Sequence, residues 1–359
     1  MKFNAIVIRL RRRVVNRLMP GQHRLIGLML CAFMLLGSCT DSQNRKSPTD
    51  SAKVESKPAS RGLPFEMVVI VPQKAFEGEL ADSIDMLLRC STPVLPQHEP
   101  LFRLNIIWAD ANLTPWRTYR ERLILDIDRH AARPTIGVAR DPLARPQLEM
   151  KVTARSPHEL AQFVSLQQER IRDLFVEHEL DYMAATLRAK HSKNTAQKLK
   201  ELTGHTICVP PELKASKQAP DFLWTGTNLN DKDQNFVFYA YPWDGRPLTL
   251  NTSIAMRDSA LATNIPGSRP DQWMQTARDP QTHRPLVISR TRVVNKEYVF
   301  ELRGLWEMRN GALGGAFVSY ERIDTVARRV LVTEGFIYSP HSPKRTILRQ
   351  MEAALRTWK

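Results

Sequence analysis

The stretch Tyr298–Tyr338 reads YVFELRGLWEMRNGALGGAFVSYERIDTVARRVLVTEGFIY, and its pattern decides the fold class. Tyr298–Met308, Ala316–Ile323 and Arg329–Tyr338 are rich in β-branched and aromatic residues, which favour pleated backbone. Asn310-Gly311 between the first two runs is a hairpin signal. The reading is an antiparallel meander, begun upstream by Arg290–Val294. Ser342-Pro343 then opens a closing helix with Ile347, Leu348, Met351, Leu355 and Trp358 on its apolar side.

Working outward, Thr206–Val209, Phe222–Thr227 and Phe236–Tyr241 read as strands, and Leu250–Thr263 as a helix. In the first half, Met67–Val71 (MVVIV) is a continuous apolar run, the mark of a strand buried on both faces. Leu80–Arg89 has helical spacing, while Phe102–Trp108, Arg122–Ile127 and Gln147–Ala154 read as strands. Ser156-Pro157-His158-Glu159 is a helix start, with a capping Ser, Pro at the first position and Glu three residues on. The helix is predicted to run to Lys190, and a further helical stretch ends at Gly204. Each half closes with a strand, a Ser-Pro step and a helix. The expected fold is α+β, with mainly antiparallel sheets packed by helices and two related halves, 63–204 and 205–359.

The N-terminal region is different in kind. Leu25–Leu36 (LIGLMLCAFMLL) is twelve apolar residues, long enough for a signal-peptide core and short of the about 20 that span a bilayer. Arginines precede it, and Leu36-Gly37-Ser38-Cys39 reads as a lipobox. The expectation is cleavage after Ser38, with lipid on Cys39, whether translation starts at Met1 or Met19. Several acyl chains on one cysteine give stable attachment, at about 0.8 kcal/mol per buried CH₂. Thr40 follows the cysteine where an Asp favours inner-membrane retention, so the outer membrane is the expected location. Residues 40–62 carry little apolar surface and read as a disordered tether.

The 359 residues carry a formal charge of +15, of which residues 1–38 supply seven. The remainder is scattered without a basic run, and export argues further against nucleic acid as a partner. Of four cysteines, Cys31 leaves with the signal and Cys39 takes lipid, so Cys90 and Cys208 remain. A domain this size needs no staple, and two separate buried thiols are expected over a disulfide.

No nucleophile elbow, phosphate loop, dinucleotide fingerprint or His-Glu-x-x-His occurs, so no cofactor is expected. Glu334 shares a strand face with Val332 and Phe336, which makes it either a raised-pKa acid or half of an ion pair with Arg303. The pair is the favoured reading, because a lone carboxylate lacks a catalytic partner. Asn228, Asn230, Asp231 and Asp233 lack the calcium-loop pattern and read as a turn. Trp224, Tyr239, Tyr241 and Trp243 are the better binding candidates, since Tyr and Trp on a sheet face stack on sugars or grip peptides. Core packing is the commoner fate of such residues.

Phe222-Leu-Trp224, Gln234–Pro242, Arg257-Asp-Ser259, Asn264-Ile-Pro-Gly267, Arg303-Gly-Leu-Trp-Glu307, Gly314–Ser319 and Pro96–Phe102 together resemble a Bacteroidetes lipoprotein family, domain of unknown function 4837. Ala316 departs from the proline expected there. The resemblance covers nearly all of Pro64–Trp358 and implies an envelope lipoprotein without implying an activity. The expected function is therefore a membrane-anchored binding or scaffolding module, its partner another envelope protein or a polysaccharide. The alternative is a cell-wall or glycan hydrolase using Glu334 or Glu307 as its acid.

Overall fold

Lys57–Lys359 are described by a computed structural model. The signal segment 1–38, Cys39 and residues 40–56 lie outside the described residues. The rest of the segment read as tether, Lys57–Gly62, is bound to the body instead. Ala59 and Arg61 form parallel bridges with Arg145 and Tyr119, and Arg61 N donates to Thr118 O at 2.8 Å. The reading from composition failed here because backbone pairing, not apolar burial, holds this piece.

Met67–Val71 lies in β1 (Glu66–Val71), buried along nearly its whole length. A strand with both faces covered belongs inside a parallel sheet. Accordingly β1 pairs in parallel with β2 (Arg103–Trp108) and β3 (Glu121–Ile127). Parallel neighbours need a crossover, which α1 (Gly78–Leu88) supplies between β1 and β2. β4 (Thr135–Arg140) is an exposed edge strand, antiparallel to β5 (Leu148–Ala154), and completes the order β2-β1-β3-β5-β4.

Ser156 caps the next helix as its sequence predicts, accepting from Glu159 N at 3.2 Å. The Glu159 carboxylate accepts from Arg155 N at 2.8 Å. The helix is interrupted at Gln167, giving α2 (Pro157–Leu166) and α3 (Gln168–Ala189). α4 (Lys193–Thr203) ends on Gly204, whose φ of +83° suits glycine. Thr206–Val209 is extended chain rather than a strand, held by Thr206 and Lys359 exchanging N–H···O bonds.

The C-terminal half builds one eight-stranded antiparallel sheet. Its order is β10 (Val287–Val294), β11 (Glu297–Met308), β12 (Gly314–Asp324), β13 (Arg329–Tyr338), β8 (Asp233–Pro242), β7 (Phe222–Gly226), β6 (Ala215–Ala219), with β9 (Met274–Thr276) against the end of β11. Eight of the eleven ladders among the described residues are antiparallel, so the fold is α+β. The two halves are wound differently all the same, and the shared Ser-Pro steps do not mark a repeated topology.

Alternation along the strands gives this sheet two faces. One packs on α5 (Leu250–Asn264); the other packs on α6 (Arg345–Leu355) and joins the first half in a continuous core. Leu348, Met351, Leu355 and Trp358 are buried there, each contributing roughly 1.5–3 kcal/mol. α6 lies close to β13 because Gly335 has no side chain: a Cβ there would stand 2.7 Å from Met351 Cβ.

Ser342 does not cap α6. The cap is Glu99, in the loop between α1 and β2, which accepts from Lys344 N at 2.8 and 3.0 Å and from Arg345 N at 2.8 Å. One carboxylate thus satisfies the exposed N–H groups of the helix and complements its dipole. Beneath α6, Glu352 bonds Arg349 at 2.7 Å and pairs with Arg303 of β11. Burial favours a proton on Glu352, but the Arg303 and Arg349 guanidiniums overcome it and hold the carboxyl well below its usual range. Arg292 of β10 and Arg356 after α6 both reach Glu177 of α3.

Glu99→Ala should cost roughly 2 kcal/mol or more, because it orphans buried N–H groups. Glu99→Gln should cost less, since an amide oxygen still accepts. Urea denaturation of the two variants checks the ranking, and equal costs would show that the carboxylate is not the cap.

Candidate binding site

The aromatic candidates separate once they are placed on strands. Phe222 faces Tyr239 and Trp224 faces Val237 across the β7–β8 ladder. Phe236 and Phe238 point into the core shared with the first half, whereas Trp224, Tyr239 and Tyr241 take the α5 face. Tyr239 is only 3% exposed and belongs to the core. Its hydroxyl finds no protein partner, and burial, with Glu334 and Glu321 adding to it, raises its pKa.

Tyr241 and Trp243 line a hollow of about 550 Å³ with Leu248 and Thr252. Trp243 Nε1 donates to Arg246 O at 2.7 Å. Trp224 lines a different hollow, of about 530 Å³, at the other end of the same face. The four residues are therefore one core side chain and two separate walls.

The Trp224 hollow is the better-built of the two. Trp306 and Phe336 meet edge to face at its floor, with ring centroids 5.6 Å apart. Tyr338, Met308 and Leu313 complete the apolar wall, and Lys217, Asn230, Asp233, Asn235 and Asn264 stand among its polar groups. Sequence reasoning missed Tyr338, Asn264 and Trp306 here, because they are brought in by register and by the end of α5.

The Trp224 ring is fixed in place. Its Nε1 donates to Asn235 Oδ1 at 2.8 Å, and Asn235 Nδ2 donates to Asp233 Oδ2 at 2.9 Å. Gly226 makes room for this arrangement, since a Cβ would sit 2.5 Å from Asn235 Oδ1 and 2.8 Å from Trp224 Cζ2. Asp233 Oδ1 accepts from Thr227 Oγ1 at 2.9 Å and Leu229 N at 3.2 Å. The Asn/Asp-rich segment is thus a turn that uses its own aspartate internally, as its composition predicts.

Glu334 is paired, but not with Arg303. Arg257 of α5 grips it through Nε and Nη2, at 2.8 and 2.7 Å, and donates from Nη1 to Thr276 Oγ1 at 3.0 Å. The Arg257 guanidinium lies 3.8 Å from the centroid of the Phe317 ring. Glu334 and Arg303 sit on opposite faces of the sheet because their positions differ in strand parity. Arg303 bonds Glu301 at 2.5 Å and pairs with Glu352. Burial raises the Glu334 pKa, and Arg257 only partly offsets this. Glu334 is fully buried, and both of its oxygens are bound by Arg257 on the α5 side. Glu307 accepts from Gln275 at 2.9 Å across the β9–β11 ladder.

One titratable site was not foreseen. Glu321 of β12 is buried and accepts from Ser253 Oγ at 2.7 Å and Tyr241 OH at 3.2 Å. Burial pushes its carboxyl up to about 7, and the two hydroxyls pull the other way. It lies against a shallow hollow of about 700 Å³ bounded by His205, Tyr298 and Trp358. Cys90 and Cys208 are unbonded. Among the described residues no three His, Cys, Asp or Glu side chains gather to hold a metal ion.

Glu321 makes stability depend on pH. Below its ordinary value of 4.5 the contribution is fully present. As pH rises toward about 7 the unfolded chain ionises while the folded one keeps its proton, so stability falls. The expected slope is about 1.4 kcal/mol per pH unit for one such group. Urea midpoints should therefore be higher at pH 5 than at pH 7.5, and Glu321→Gln should reduce that difference while stabilising the protein at pH 7.5. A slope unchanged in the variant would place the effect elsewhere.

No curated protein matches the chain. Residues 60–188, which include the Pro96–Phe102 segment, match a family described as Domain of unknown function (DUF8532). That boundary runs between the parallel and the antiparallel sheet. Residues 192–357, the half that holds the Trp224 hollow, match the family described as Domain of unknown function (DUF4837).

Proposed function

We propose that the chain is a lipoprotein of the bacterial outer membrane, anchored through Cys39, whose folded unit is a binding module. In this reading the Trp224 hollow holds another component of the envelope. The observation that carries it is the hollow itself: a concave, largely apolar wall with a few polar groups, within the about 300–1,000 Å³ of small-molecule sites. Its tryptophan is locked before any ligand arrives, which lowers the ordering cost of binding. The anchor rests on the order of basic region, apolar core, small residues and cysteine in the leader. Glu334 and Glu307, either of which was the candidate acid of a hydrolase, both have protein partners.

Cys39→Ser should move the protein from the membrane pellet to the supernatant, and a variant that still sediments would refute the anchor. Trp224→Ala should keep the protein membrane-bound and folded while it loses the envelope component that wild type retains after detergent solubilisation. Asn230→Ala, at an exposed turn, should weaken the same retention. Retention unchanged in both variants would refute the hollow as the site.

A further inference from the structure

We propose that the Trp224 hollow binds a neutral saccharide, seating one or two pyranose rings. The inference deepens the binding reading above and rests on it.

Trp224 and Tyr338 are half-buried and border the hollow, so part of each ring is open to a ligand. Aromatic faces are electron-rich and attract the weakly positive C–H face of a sugar. Trp224 is the more rigid platform, because Asn235 holds its Nε1 and Gly226 leaves no slack behind it.

The polar groups narrow the choice further. The lining holds one cation and one anion, and both already have protein partners. Lys217 Nζ donates to Asn264 O at 2.9 Å, and both Asp233 oxygens accept from neighbours. The two formal charges cancel across the lining, so a phosphate or carboxylate ligand would meet Asp233 as well as Lys217 and gain no net attraction. Asn230 presents a side-chain amide with both a donor and an acceptor, and Asn264 adds a second whose Nδ2 already donates to Ala260 O at 2.9 Å. That combination matches hydroxyl groups, which also both donate and accept. An aliphatic peptide side chain would fill the space beside Met308 and Leu313 but leave the Asn230 amide without a partner once water is displaced.

The test is isothermal titration of the full-length, detergent-solubilised protein with chitotetraose, cellotetraose and maltotetraose. At least one should bind saturably, with Kd between about 1 μM and 1 mM. Trp224→Ala should weaken it by about tenfold or more. Asn230→Ala should also weaken binding, with an unchanged melting temperature showing that the fold is intact. No saturable heat from any of the three at about 10 mM, or binding indifferent to both substitutions, overturns the proposal. A parallel titration with a capped Leu-Ala-Leu peptide separates the two levels of inference. If the peptide binds through Trp224 and the saccharides do not, the hollow remains a binding site and the saccharide assignment falls. If the retained envelope component is also indifferent to Trp224, both fall together.

Discussion

Glu352 sits where water does not reach, with guanidinium groups on more than one side, and the union of the two sheets depends on it. A lone carboxylate in that position would take up a proton. Arg303 from the sheet and Arg349 from its own helix keep it charged. The same cluster extends through Glu301 to Arg292 and on to Glu177 of α3. Buried ion pairs of this kind contribute little net stability, since desolvation offsets attraction. What they supply is a set of defined pairings between α6, β11 and α3, while Gly335 sets how closely α6 approaches β13.

The opposite face of the antiparallel sheet follows the same rule with a smaller cast. Ser253 and Arg257, one turn apart on α5, meet Glu321 and Glu334 on neighbouring strands. One carboxyl is answered by hydroxyls and the other by a guanidinium, and their proton affinities differ accordingly. This polar seam lies between the Tyr241–Trp243 hollow and the Trp224 hollow. It holds α5 down and so fixes where Asn264, at the end of that helix, stands in the second hollow.

Local signals were legible wherever a single element explained them. The MVVIV run read as a doubly buried strand, and Ser156 and Gly204 announced a helix start and a helix end. The meander was plain from its runs and its Asn-Gly turn. Three things could not be read. Partners were hidden because parity assigns a side chain to a face, while packing chooses what meets it; Arg257 therefore took the place expected of Arg303. The α6 cap was hidden because Glu99 comes from 245 residues away. The aromatic cluster was legible as residues but not as a site, since alternation sent Tyr239 to the core and Trp224 to a wall.

The attachment of Pro58–Gly62 has a mechanical meaning. Any pull transmitted along the chain from its N-terminal side enters the fold at this segment. It is taken up first by peptide hydrogen bonds to Thr118, Arg120 and Arg145. Arg120 passes the load inward: its backbone N–H holds Arg61, its side chain holds Gly62 and Leu63, and the same guanidinium grips Glu179 of α3. Tension is therefore taken up first by the five-stranded sheet and α3, on the sheet that does not carry the Trp224 hollow.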